Sequence, residues 1–542
     1  MQVELVLLIL SLLFFISIIA DKIGFRYGVP ALLLFLAVGM FFGPHGMGGL
    51  IGAQGMEIDI DVAQAISTLA MCIILFTGGM ETKLTDIKSV LAPGITLATA
   101  GVLFMCLITG VIIYFVLGWF NAAAGFSIWM ALLTAATMSS TDSASVFSIL
   151  RTNGVGLKHN LRPLLELESG ANDPMAYVLT TTFISIVLSI RFAGGDESVV
   201  SALPIVQNIM IQLVMGTVIG VTFGMGLVQL LRRVKLGNEA LYPIMILTAC
   251  IFIFSITYYL KGNTYLAVYM GGLVIGNNKF TRKRQTKSFF NGLAWLSQLV
   301  MFLVLGLMVK PTELFNPHVW VPCLIISIVT IGIARPISVW LCMMPFRKYH
   351  ARDKLMLSWV GLKGAVPIIF AIMCKAEGVP YADILFNVVF LCTIISLLAQ
   401  GTTLTTAAKY LALATPPEEA RTLNHFDMDL PDEIQSSARE MEVTEEMIAS
   451  GNTLRQMQLP PHTLIVMVRR GEDFFVPTGA SQLEVGDQLL VISDQDAEAT
   501  YKQMTNEAEE EAIWRAQMKQ KAKERLDRLT EWLRRRKEKS QS

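Results

Sequence analysis

Apolar runs follow one another along most of this chain, separated by short charged breaks. Between residues 3 and 410 there are thirteen such runs, and roughly 20 helical residues cross a bilayer. The pattern predicts an all-α polytopic membrane protein with thirteen transmembrane helices. Residues 1–20 have the length of a signal peptide but lack a basic start and a small-residue cleavage site before Asp21. They read as the first transmembrane helix. Hydropathy collapses after residue 411, so 1–411 is read as the membrane domain and 412–429, which includes the prolines and acids of TPPEEA, as a linker. Over 430–500 a small α/β cytoplasmic domain is expected: LIVMVRR (464–470), FFVP and DQLLVIS (487–493) read as strands, with GED as a turn. Residues 501–542 read as one charged cytoplasmic helix, with Glu511 to Arg515 and Glu524 to Arg528 spaced i,i+4 and a basic end suited to anionic lipid headgroups.

Composition supports the membrane reading: of 542 residues 53% are hydrophobic and 16% charged, against about 25% charged in soluble domains. Mean hydropathy is +0.55. Basic and acidic residues balance at 43 each, which leaves no nucleic-acid footprint, but they are unevenly placed. If odd-numbered helices end in the cytoplasm, the cytoplasmic breaks hold 19 basic residues and the other side keeps Arg191, Lys261, Lys310 and Lys375. By the positive-inside rule the amino end then lies outside and everything after 411 lies in the cytoplasm. Thirteen helices also fit two inverted six-helix repeats plus one extra. The seven cysteines make no disulfide framework or metal spacing. No Walker A sequence appears, so the energy source is an ion gradient rather than ATP, and nothing points to an enzyme or a bound cofactor.

Four places break the apolar pattern. TAATMSSTDSASV (134–146) crowds Thr137, Ser139, Ser140, Thr141, Asp142, Ser143 and Ser145 together; hydroxyls compete for helical backbone bonds, which predicts an unwound stretch that offers oxygens to a cation. The plain alternative is a hydroxyl-rich packing face. In LESGANDPMA, Glu168 and Asn172 share one helix face and Ser169 and Asp173 the adjacent one, while Pro174 frees the carbonyl of Gly170. Arg335 and Lys363 are the intramembrane cations. Pairing Arg335 with Glu168 lowers the cost of burying both and leaves Asp173 available. GLKGAVP, with Gly361 and Gly364 around Lys363, reads as a second broken helix.

An oxygen-donor site without a His/Cys cluster suits hard monovalent cations, Na⁺ or K⁺. A proton and a cation each neutralise one buried carboxylate, so they compete for Asp173. A protein that changes access only when that acid is occupied exchanges cation for proton, one for one if Asp173 alone titrates. A cation channel gated by the cytoplasmic domain needs similar oxygens without the competition, and flux coupling separates the two classes.

ESGANDPMA and TMSSTDSASVF resemble the cation/proton antiporter superfamily, in the branch of bacterial sodium or potassium/proton antiporters related to NhaP. The resemblance spans residues 1 to about 411. It implies that Asp173 binds the ion and the proton, with Asn172, Ser169, Thr141 and Asp142 around it. Asp173, Ser169 and Thr141 are the implied ligands of the transported K⁺ or Na⁺. Glu168, Arg335, Lys363, Gly361, Gly364 and Pro174 shape the site, and two broken helices cross. Lys363 stands where the family often has arginine, which keeps the charge and loses the planar fork. The resemblance also implies a homodimer in the bacterial inner membrane with a core that moves against a dimerisation domain. LPPHTLIVMVRRGEDFFVPTGASQLEVGDQLLVIS resembles the C-terminal regulatory domain of potassium-uptake regulators and channels (RCK or TrkA-C type), which implies an unidentified regulatory nucleotide or ion. A Na⁺-selective exchanger is the alternative within the class. His159 is expected to be a loop histidine without a role.

Overall fold

Helix forms on the apolar stretches because in lipid every backbone N–H and C=O has to be satisfied within the segment. The computed structural model describes residues 4, 8, 11–19, 31–43, 59–120, 126–234, 236–310, 317–415, 438–443, 453–455, 463–471 and 473–493. The chain divides into two compact units, residues 1–153 with 157–414 and residues 154–156 with 415–542.

In the first unit residues 11–19 are helical, followed by α1 (Ala31–Phe42), α2 (Ile60–Glu81), α3 (Leu84–Trp119), α4 (Ile128–Thr137), α5 (Ser143–Thr152), α6 (Leu161–Phe192) and α7 (Ala202–Arg233). Then come α8 (Leu241–Tyr259), α9 (Thr264–Gly276), α10 (Lys283–Met308), α11 (Val319–Met343), α12 (Ala351–Trp359), α13 (Val366–Ala376) and α14 (Ala382–Tyr410). Among the described residues eight of these helices are long and apolar enough to cross a membrane by length and composition. The protein is a mostly helical, polytopic membrane protein.

Its core is apolar like a soluble domain's, but its outer face is apolar too and several ions are enclosed. Apolar side chains such as Leu203, Met210, Val214 and Val218 on α7 face outward, whereas Glu168, Asn172, Asp173, Arg335 and Lys363 are buried. Without a hydrophobic drive between helices, close backbone contact holds the bundle. Gly79 of α2 lies against the Tyr269 carbonyl of α9, and Gly272 and Gly276 of α9 lie against the Phe76 and Met80 carbonyls of α2, with no room for a Cβ.

Two triplets of helices place the site. In each, a helix with a wide π-type turn comes first: Leu97–Gly101 within α3 and Thr330–Ala334 within α11. The Ser338 hydroxyl of α11 donates to the Gly101 carbonyl at 2.7 Å. A broken helix follows in both cases, α4/α5 with residues 138–142 unwound and α12/α13 with residues 360–365 unwound, and then a long helix, α6 or α14. The first break is made by hydroxyls: Thr137 and Ser139 bond back to the carbonyls of Thr134 and Ala136 at 2.7 Å each. The second is made by Gly361 and Gly364, with Pro367 in the first turn of α13.

The second unit contains a four-stranded antiparallel sheet among its described residues, made of β1 (Ala438–Glu442), β2 (Thr463–Arg470), β3 (Asp473–Phe475) and β4 (Gln488–Ser493) in the order β1-β4-β2-β3. The hairpin and last strand lie where alternation placed them. β1 is polar (AREME) and carries no such signal; it reaches the sheet by pairing along β4, Ala438 with Ile492 through Glu442 with Gln488. Val443, Ile465, Val468, Leu483, Leu489 and Val491 form the core beneath. The described residues of this unit form strands and turns, and the remainder of the expected α/β domain lies outside the described residues. The 501–542 helix and most of the 412–429 linker lie outside the described residues.

Candidate ion-binding site

The two unwound stretches meet. The Asp142 N–H donates to the Leu362 carbonyl at 2.8 Å, and the Lys363 ammonium donates to the Ser140 carbonyl at 3.1 Å. Each stretch thus satisfies backbone groups that the other's loss of helix left free. Gly364 is required by this approach, and Gly361 makes room for the Arg335 side chain. A Cβ on Gly364 would stand 2.5 Å from Asp142 Oδ2, and one on Gly361 2.8 Å from Arg335 Nε.

Helix α6 lies against the crossing and runs unbroken through Pro174. Ser169 Oγ accepts the Ser143 N–H at 3.0 Å and donates to the Thr141 carbonyl at 2.8 Å. The Asn172 amide donates to the Thr141 hydroxyl at 2.5 Å. One turn after Ser169, Asp173 accepts a short hydrogen bond from the Ser140 hydroxyl. Ser169, Asn172, Asp173, Thr141 and Ser140 therefore form one buried, oxygen-rich cluster, with Asp173 only 8% exposed.

The charged neighbours divide into pinned and unpinned groups. Arg335 Nη2 lies 2.6 Å from Glu168 Oε1, with both side chains almost fully enclosed, and Arg335 also donates to the Leu357 carbonyl at 3.3 Å. Asp142 caps α5, accepting the Ser145 N–H at 3.1 Å and the Ser145 hydroxyl at 2.5 Å. Asp173 is held by a neutral hydroxyl, which leaves its charge free to be met by a proton or a metal ion.

Several residues of this arrangement were not singled out from the sequence. Ser140 was one of many hydroxyls in its stretch, and only folding selects it as the Asp173 donor. Asn263, fully buried, donates to the Pro174 carbonyl at 2.7 Å and caps α9 through the Leu266 N–H; the asparagine ahead of an apolar run is its sequence signal. Ser396 and Gln400 sit four residues apart in an apolar helix, a polar pair that spacing alone displays. His159, expected to have no role, has Nδ1 2.8 Å from the buried Asp353 Oδ1. It lines a cavity of about 400 Å3 with His350, Arg352 and Leu411–Leu413, away from the crossing.

A membrane helix bundle with two broken helices crossing beside a buried acid defines a secondary transporter. Residues 7–410 match the family model described as sodium/hydrogen exchanger, transmembrane, and residues 438–505 match the TrkA-C domain. The chain belongs to the sodium/hydrogen exchanger family, as a cation/proton antiporter and not an enzyme, with a C-terminal TrkA-C domain. That membership sets aside the channel reading. Among relatives, the K(+)/H(+) antiporter NhaP2 of Shewanella sp. (strain MR-4) is 35% identical over 90% of this chain and 81% of its own length. The K(+)/H(+) antiporter NhaP of Alkalimonas amylolytica is 36% identical over 90% of this chain and 78% of its own. The Na(+)/H(+) antiporter NhaS2 of Synechocystis sp. (strain ATCC 27184 / PCC 6803 / Kazusa) is 26% identical over 71% of this chain and 68% of its own. The solved sodium proton antiporter MjNhaP1 from Methanocaldococcus jannaschii shares the fold, with a TM-score of 0.61 at 20% identity over 74% of this chain and 100% of that one.

Proposed function

We propose that this antiporter exchanges K⁺, with Na⁺ as the alternative or additional cation, for H⁺ in cytoplasmic cation and pH homeostasis. The observation that carries the reading is Asp173, an enclosed carboxylate bonded to one neutral hydroxyl of an unwound helix. Proton and cation take the same acid in turn, and Thr141, Ser169 and Asn172 supply or orient the surrounding oxygens. Potassium is favoured because the relatives at 35–36% identity are named K(+)/H(+) antiporters. In this reading Glu168 is neutralised by Arg335 and Asp142 serves as a cap, so one carboxylate carries the cycle and exchange is electroneutral, one for one.

The same reading has thirteen membrane helices in two inverted repeats plus one, supported by the matching π-turn, broken-helix, long-helix triplets. It has a homodimer in the bacterial inner membrane, amino end outside and carboxyl end in the cytoplasm. Residues 1–411 transport, 412–429 link, 430–500 regulate in response to a nucleotide or ion, and 501–542 form a charged helix near lipid headgroups.

The test is proton flux in proteoliposomes holding a pH dye, with K⁺, Na⁺, Li⁺ and Rb⁺ added in turn. Wild-type protein is expected to move protons against K⁺. Asp173→Asn is expected to lose exchange while purifying as a folded protein. Cation-driven proton flux by Asp173→Asn at the wild-type rate would overturn the reading.

A further inference from the structure

The two broken helices are held in matching ways by the long helices that follow them. At the first break the Ser143 N–H donates to Ser169 Oγ of α6 at 3.0 Å, and Asp173 stands four residues on. At the second the Lys363 N–H donates to Ser396 Oγ of α14 at 2.9 Å, and Gln400 stands four residues on. Residues four apart share a helix face, so Gln400 occupies in the second triplet the place that Asp173 occupies in the first. The difference is charge: one position carries the acid, the other a neutral amide.

That amide is bonded at both ends. Gln400 Oε1 accepts the Ser396 hydroxyl at 2.5 Å, and Nε2 donates to the carbonyl of Trp359 at 2.8 Å. Trp359 is the last residue of α12, so Ser396 and Gln400 grip both sides of the break, Trp359 before it and Lys363 after it. One turn further along α14, Thr403 accepts the Trp359 indole N–H at 3.1 Å. The pair is fully enclosed, Ser396 at 0% and Gln400 at 1% exposure. Besides bonding each other within α14, the two side chains reach two backbone groups on either side of the break. From the gripped turn the Lys363 ammonium extends to the Ser140 carbonyl at 3.1 Å, and the Ser140 hydroxyl holds Asp173.

We infer that Ser396 and Gln400 are positioning residues for cation/proton exchange, fixing the second break so that Lys363 keeps Ser140 in register with Asp173. The inference rests on the exchange reading given above. The neutral amide at this place grips the backbone without adding a second exchanging acid beside the site.

The full-length protein in proteoliposomes decides the matter, with K⁺-driven proton flux measured against cation concentration and pH for wild type, Ser396→Ala, Ser396→Thr and Gln400→Leu. Ser396→Ala and Gln400→Leu are expected to raise the cation KM by about fivefold or more, with a smaller change in maximal rate, and to shift the pH profile. Ser396→Thr, which keeps the hydroxyl, is expected to restore both. Thermal unfolding of the same preparations reads folding separately. If Gln400→Leu does not fold, Ser396→Ala against Ser396→Thr carries the test. Folded Ser396→Ala with wild-type KM and pH profile overturns the inference. So does a loss of rate that follows thermal stability with KM and pH profile unmoved, which marks a structural role only. Wild-type protein that fails to exchange cations for protons sinks the earlier reading instead.

Discussion

At the scale of single residues, the site is a sorting of charges by what holds them. Arg335 and Glu168 neutralise each other in an enclosed pair, where removing one partner strands the other. Arg335→Ala is therefore expected to destabilise the protein by about 3–5 kcal/mol, read as a fall in unfolding temperature in detergent. Replacing both residues together (Arg335→Met with Glu168→Gln) is expected to recover part of that loss, because no unpaired buried ion remains. Unchanged stability of Arg335→Ala would show that the pair does not hold the core. The acids of the site were legible as lone ions in apolar helices, which are rare enough to mark a pathway. The pairing of Glu168 with Arg335 was legible too, but Asp142 becomes a cap and Asp173 a hydroxyl-bonded acid only through contacts with Ser145 and Ser140.

At the scale of elements, the crossing of the unwound stretches depends on Gly364. Gly364→Ala places a methyl group 2.5 Å from a carboxylate that Ser145 already pins, so the stretches must separate. A loss of about 1–3 kcal/mol is expected from such overpacking, together with a large drop in exchange while helical content by circular dichroism stays at the wild-type level. Full exchange by Gly364→Ala would mean that the contact is dispensable. In the cytoplasmic sheet, Arg470 of β2 forks onto Asp487 with bonds of 2.9 and 2.7 Å. Burial pushes the Asp487 carboxyl up, but the Arg470 fork and the Glu484 N–H outweigh it and leave the group below its ordinary value. A depressed carboxyl contributes stability above its unfolded pKa of about 3.9, and that contribution is lost as pH falls through the lower folded value. Hydrogen-exchange protection of β4 is thus expected to weaken below about pH 4, and Asp487→Asn to weaken it already at pH 7 and remove this part of the acid dependence. Equal protection in both proteins at neutral pH would rule the fork out as a stabiliser.

At the scale of the whole molecule, the first unit is built for a solvent of lipid tails, with an apolar outer face around an apolar core that encloses a few ions. Val214, midway along α7 and half exposed, is a direct probe of that outer face. Val214→Lys is expected to disfavour membrane insertion by about 2.5–3.5 kcal/mol, seen as less membrane-integrated protein at equal synthesis; wild-type yield would argue that this face meets neither lipid nor a tightly packed partner. The helical, polytopic character, the breaks in the fifth and twelfth apolar runs, and three strands of the tail were readable along the chain. They depend on local properties, namely hydropathy, hydroxyl and glycine content, and alternation, which act within a few turns. The polar strand β1 was not readable, because its place comes from the hydrogen bonds β4 offers and not from any pattern of its own.

By itself, then, the sequence determined that the chain is a helical membrane protein with two interrupted helices and isolated acids beside them, since burying an ion or losing a helical bond in lipid is a cost each residue carries wherever it sits. Only the tertiary structure decided which hydroxyl meets Asp173, what partner Asp142 takes, and that Ser396 and Gln400 of a distant helix grip the second break. Those are choices among many chemically equivalent hydroxyls and amides, and distance in the folded bundle is what tells them apart.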